Sequence, residues 1–304
     1  MSTQSTAMPE SFQSQSTVPA VIPATRVFYW SIRRELWENR SVYIAPLAVA
    51  GVALFAFSLS SIAGIWEKAL RLNPAHPEGP YDIAAGLMML TGIVVSVFYC
   101  LDALHGERRD RSILFWKSLP VSDVTTVLAK ACIPLVILPL LTFAITVVMQ
   151  WLMLLLSSAV LPASGLSVTT FWTNLSFLRR TWLLLYHLLT AHALWPAPIY
   201  CWLLLVSGWP RRATFLWAAL PLVAIAGVEQ IAFHTWHFAT LIGSRLLGDT
   251  PTVASTSPNM FPTDPMTHIA PAHFLISPGL WIGLALAAVF LAAAVRLRRY
   301  REPI

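Results

Sequence analysis

Histidines and carboxylates that lie close together are the first candidates for chemistry in this chain. Glu229 precedes His234 and His237, and His187 and His192 are five residues apart. A helical metallohydrolase site needs two His four residues apart with a Glu beside the first, and neither group has that spacing. Five residues advance an α-helix about 140° past a full turn, so His187 and His192 are expected on different faces. Cys100, Cys132 and Cys201 fall at unrelated spacings inside apolar runs and are expected to be packing residues, not metal ligands or disulfide partners. No metal site is therefore assigned. An intramembrane metal- or haem-dependent protein using the His and Glu residues is the rival reading, and metal content of the purified protein discriminates it. No Gly-x-x-x-x-Gly-Lys-Ser/Thr phosphate loop occurs, so no ATP hydrolysis is expected of this chain.

A different kind of chemistry is carried by residues 105–130, a charged segment between two apolar ones. Ile113, Leu114, Phe115, Trp116 and Leu119 supply bulky apolar anchors, flanked by Glu107, Arg108, Arg109, Asp110, Arg111 and Lys117. Buried anchors give affinity for a partner and rim charges give register. Pro120 stops a helix, and Ser122 or Asp123 can cap the next. A solvated connector would need the charges but not five bulky apolar residues.

The elements around this segment must be membrane helices. Hydrophobic residues make up 57% of the 304 and charged residues 11%, against roughly 25% charged in a soluble domain. The basic residues are parcelled between apolar runs and not gathered on a folded face, which argues against a nucleic-acid partner. Six stretches reach the roughly 20 residues that cross a bilayer core of about 30 Å: Tyr43 to Trp66, Ile83 to Leu104, Ala131 to Leu156, Trp182 to Ser207, Phe215 to Phe233 and Pro278 to Val295. Lipid offers no partner to unpaired backbone groups, so each should be helical. The expected fold is an all-α polytopic membrane protein whose six-helix domain occupies residues 43–304.

Two segments precede that domain. Residues 1–25, rich in Ser, Thr, Gln and Pro without a charged start and apolar core, are expected to be a disordered cytoplasmic tail and not a secretory signal. Residues 26–42 are expected to form an amphipathic interfacial helix. Phe28, Ile32 and Leu36 make its apolar stripe, with Trp30 and Trp37 off that stripe but suited to the headgroup region.

Basic residues set the orientation. With both termini cytoplasmic, Arg26, Arg33, Arg34, Arg40, Arg108, Arg109, Arg111, Lys117, Lys130, Arg211, Arg212, Arg296, Arg298, Arg299 and Arg301 lie inside. Lys68, Arg71, Arg179, Arg180 and Arg245 lie outside, a bias that favours this orientation. Within the spans, Asp102 is placed to pair with Arg108 or Arg109. Gln150, His187 and His192 can join helices by hydrogen bonds, and Asp102, Gln150 and Glu229 are the candidates for a gate or substrate path. The outer segment 234–277 mixes an apolar run with a Pro-, Ser- and Thr-rich stretch, and Phe238 to Leu247 and Ala272 to Ile276 are its candidate helical pieces.

The order of an N-terminal surface helix, six spans, Glu107-Arg108-Arg109-Asp110-Arg111-Ser112, then Ser118-Leu119-Pro120-Val121-Ser122 and Lys130, resembles the type-2 ABC exporter permeases of bacterial cytoplasmic membranes. Arg111 stands where that family commonly has Gly. The resemblance implies a coupling helix in 105–130 that docks on a separate ATPase subunit, with Glu107, Arg109, Asp110, Ile113, Leu114, Trp116, Leu119 and Pro120 at the contact. It also implies that ATP and Mg bind to that subunit and no cofactor to this chain, and that a second permease copy or sister permease completes the conduit. Short helices of the outer segment would form an outer gate. A non-transporting scaffold or sensor subunit is the other alternative; it would bind an ATPase without substrate-dependent turnover.

Overall fold

The computed structural model describes residues 23–66, 68, 79–110, 121–164, 177–210, 212–247 and 275–300, and they are helical with no strand among them. Helix α1 (Ala24–Glu38) is followed by α2 (Ser41–Ile62) and α3 (Gly79–Asp102). Pro80 sits at the start of α3, where a missing N–H leaves no intrahelical bond unmade. A short α4 (His105–Arg109) leads towards the 111–120 stretch, which lies outside the described residues together with Ile113, Leu114, Phe115, Trp116, Leu119 and Pro120. Ser122 caps α5 (Asp123–Cys132) by accepting the Thr125 N–H at 3.1 Å. A π turn at Ile133–Ile137, containing Pro134, passes α5 into α6 (Leu138–Val160) without a break in the apolar run.

The next traversal is broken. Helix α7 (Phe177–His187) runs into a π turn at Leu188–Leu194, whose i→i+5 bonding shows in the Trp195 N–H donated to the Thr190 carbonyl at 2.9 Å. Pro196 cannot continue the ladder, and α8 (Ala197–Ser207) leaves with a bend of 44°. Helices α9 (Thr214–Phe233), α10 (His237–Leu247) and α11 (Pro278–Tyr300) complete the set.

Among the described residues five helices are long and apolar enough to cross a membrane, and the bent pair α7–α8 would make a sixth if it counts as one span. These helices mark the chain as a membrane protein. The residues that pack them form two main clusters. One gathers Val42, Tyr99, Cys100, Ile133, Leu138, Tyr200 and Leu204, and the other Phe57, Trp66, Tyr81, Met88, Met149 and Met153. All three cysteines are free, with Cys100 and Cys201 fully buried.

The outer piece expected at Phe238 to Leu247 is α10. Of the piece expected at Ala272 to Ile276, only residues 275 and 276 are described, and the Thr250 to Pro265 stretch and residues 1–22 lie outside the described residues.

Candidate functional site

Helix α1 turns Ile32 and Leu36 onto the first packing cluster. Glu35 lies on the same side as Leu36 and is therefore carried into the bundle, where it is 2% exposed. A lone buried carboxylate would cost several kcal/mol, so it must find cations. Lys130, on the inner face of α5, supplies one: Nζ lies 2.9 Å from Glu35 Oε1. The Tyr99 hydroxyl donates to Glu35 Oε2 at 3.0 Å.

Glu107 is the second centre. The short α4 swings it inward, so that Oε1 meets Arg34 Nη2 at 2.8 Å and Lys130 Nζ at 3.2 Å, while Oε2 meets Arg298 Nη1 at 3.0 Å. Arg298, from the end of α11, also donates through Nε to Asp123 Oδ1 at 3.1 Å. Arg34 completes the group with Glu35 at 3.2 Å and Glu38 at 3.0 Å. Burial would lower the Arg34 pKa, but the carboxylates of Glu35, Glu38 and Glu107 outweigh it and hold the guanidinium above its ordinary value. Beside this network Arg108 donates to the Gly208 carbonyl at 2.7 Å. Gly208 packs closely here, where a Cβ would come within 3.1 Å of the end of the Leu297 side chain.

Six charged side chains, Arg34, Glu35, Glu107, Asp123, Lys130 and Arg298, thus join α1, α4, α5 and α11 at one end of the bundle. Ion pairing engages each carboxylate, and the arrangement suits mechanical linkage of the elements that carry it. Removing one partner of such a network is costly because it strands the others in low dielectric. The four elements are therefore expected to move together.

The residues expected to meet a partner separate into two groups. Glu107 points into the network and not outward. Arg109 and Asp110 are exposed and pair with each other at 3.2 Å, which leaves them on the surface where the 111–120 stretch begins.

Asp102 is exposed and makes no ion pair among the described residues. Of its two expected partners, Arg108 donates to the Gly208 carbonyl, whereas Arg109 hydrogen-bonds to Asp110 and is also attracted by the charge of Asp102. Gln150 is buried and donates to the Tyr81 carbonyl at 3.4 Å, close to the Tyr81–Ser157 hydroxyl pair at 3.0 Å, so it ties α6 to α3.

Glu229 caps α10. Its Oε1 accepts the Thr235 hydroxyl and the His237 N–H, and its Oε2 the Phe238 N–H, each at 2.8 Å. His234 makes the corner with a left-handed φ of 53°. At the other end of α10, the Arg245 guanidinium stacks on Trp195, with Cζ 4.1 Å from the ring centroid, and donates to the Trp195 and Gly279 carbonyls at 3.2 and 2.6 Å. We expect Glu229→Ala to free the first turn of α10, at about 1–2 kcal/mol, and to raise amide exchange across His237–Leu247 about 5- to 30-fold. Hydrogen–deuterium exchange of the purified protein reads this directly, and unchanged protection would rule the cap out.

The expectation that His187 and His192 point apart is overturned. Their rings lie 5.6 Å apart, centroid to centroid, because the π turn makes five residues nearly one full turn. Among the described residues no three His, Cys, Asp or Glu gather as metal ligands.

Sequence alone missed Glu35, Arg34, Asp123, Lys130 and Arg298 as one site. The available signal was position: Glu35 falls between Ile32 and Leu36 on the apolar stripe, and Asp123, Val127 and Lys130 share a helical face by i, i+4, i+7 spacing. No model of a known protein family, no curated protein and no solved structure matches this chain.

Proposed function

We propose that the chain is the membrane-spanning permease subunit of an ABC exporter in a bacterial cytoplasmic membrane, with six spans and both termini cytoplasmic. ATP hydrolysis, with its Mg, belongs to a separate ATPase subunit, this chain is not itself an enzyme, and a second permease copy or sister permease pairs with it.

One observation carries the proposal beyond the sequence motif. Within 105–130, the residues on either side of the 111–120 stretch belong to the buried charge network, Glu107 before it and Asp123 and Lys130 after it. A displacement of α4 and α5 would pass to α1 and, through Arg298, to α11. That is the linkage required of a loop that converts ATPase closure into a rearrangement of spans. Such a switch needs an element that interacts differently with the two nucleotide states.

The topology offers separate support. Arg34, Glu107, Lys130, Gly208 and Arg298 all meet at one end, as they must if α2 and α3, then α6 and α7–α8, then α9 and α11 run out and back. Most of the basic residues belong to that end, which the positive-inside rule assigns to the cytoplasm.

Affinity capture of the tagged protein from its native membrane in mild detergent, with mass spectrometry of what accompanies it, tests the proposal. The expected result is a stoichiometric polypeptide bearing a phosphate-loop motif. Leu119→Asp should abolish its recovery and Trp116→Ala should lower it about tenfold or more, as for a central aromatic anchor, with the permease still monodisperse. Capture of no ATPase, under conditions that keep other membrane complexes intact, would overturn it.

A further inference from the structure

Helix α1 has a second face that the charge network does not use. With Ile32, Glu35 and Leu36 turned inward, the side away from the bundle carries Arg26, Trp30, Arg33 and Trp37, spaced by four, three and four residues. Arg40 continues the alternation just past the helix. Trp30 and Trp37 are 51% and 63% exposed, and the Arg33 guanidinium lies between them, its Cζ 5.0 Å from one ring centroid and 4.7 Å from the other. No carboxylate pairs with Arg26, Arg33 or Arg40 among the described residues. The acidic residues of α1, Glu35 and Glu38, are both engaged by Arg34.

We infer that this ridge binds the phosphate headgroups of anionic phospholipids, in the reverse of the orientation that the apolar stripe suggested. The Ile32 and Leu36 side faces protein, and the ridge of alternating guanidinium and indole faces the bilayer surface. Chain connectivity sets the depth of its C-terminal end: α1 ends at Glu38, and α2, long and apolar enough to cross a membrane, starts at Ser41, which brings Trp37 and Arg40 to headgroup level. Indole rings favour that zone because one edge is apolar and the N–H is polar. Stacking on the two rings holds the Arg33 plane in place while its N–H groups remain able to fork onto a phosphate. Three cations without a carboxylate among them complement an anionic headgroup and not a zwitterionic one. The inference needs only a membrane-embedded chain and is independent of the exporter proposal.

The test is native mass spectrometry of the delipidated full-length protein in mild detergent, titrated with dioleoylphosphatidylglycerol or dioleoylphosphatidylcholine. Wild type should retain the anionic lipid preferentially. Arg33→Gln should weaken that binding about fivefold and leave the zwitterionic lipid unchanged, while Arg33→Lys keeps most of the preference. The Arg26→Gln, Arg33→Gln, Arg40→Gln triple variant should bind both lipids alike, with thermal unfolding confirming that it is folded. Equal retention of the two lipids by wild type, or an anionic preference undiminished in the triple variant, would overturn the assignment. So would loss from the triple variant of a co-purifying acidic protein while its lipid binding stays unchanged, which would give the ridge to a protein partner.

Discussion

Replacing Glu107 with Leu should destabilise the protein by about 3–5 kcal/mol, the largest loss expected from any single substitution in the buried charge network. Glu107 meets Arg34, Lys130 and Arg298 within 3.2 Å and is almost fully buried. Leu removes the charge on which all three converge and leaves them facing one another where water cannot screen them. Glu35 and Asp123 remain for Lys130 and Arg298, so the protein should fold but melt on the order of 10 °C lower in detergent. Asp110→Ala, three residues away, is the control. Asp110 is exposed and pairs only at the surface, so its loss should change stability by no more than about 0.5 kcal/mol. Equal melting temperatures for the two variants would show that the network does not carry the load assigned to it.

Lys130→Met should be comparably damaging, for the opposite reason. The ammonium lies between Glu35 and Glu107 at 2.9 and 3.2 Å, and its removal leaves two carboxylates short of a cation. Glu107 keeps Arg34 and Arg298, whereas Glu35 is left with Arg34 at 3.2 Å and the Tyr99 hydroxyl. Most of the cost should therefore belong to Glu35. Pairing Lys130→Met with Glu35→Gln should recover the greater part of it, bringing the double variant to within about 1–2 kcal/mol of wild type. A double variant as unstable as the sum of the singles would mean that Lys130 acts by packing alone. Denaturation of the four proteins side by side decides between these outcomes.

Residues 105–130 show why part of this architecture was legible in the sequence and part was not. The helices α2, α3, α6, α9 and α11 announce themselves by apolar length, and the starts of α3, α5 and α11 follow from Pro80, Ser122 and Pro278, whose effects are local. Glu107 looked like a rim charge because its neighbours Arg109 and Asp110 are such charges. Its inward turn depends on Arg298, 191 residues later by residue number, and no local pattern encodes that meeting. Likewise, an α-helical repeat placed His187 and His192 on different faces, and one π turn ahead of Pro196 brought them together. Glu229 was ambiguous for a third reason: a carboxylate near a span end can line a path or cap the next helix, and the choice rests on the left-handed corner at His234.

The order in which the ribosome delivers the network has its own consequence. Arg34, Glu35, Glu107, Asp123 and Lys130 emerge early, and together they hold three carboxylates and two cations. Arg298, on α11, follows much later and brings the third cation. Until α11 is inserted, the nascent protein carries an uncompensated negative charge at a site built to be dry, and that site stays open to water. Completion of the charge balance thus reports the docking of α11. A cell's quality-control proteases would find the same weak point in every molecule in which α11 fails to dock.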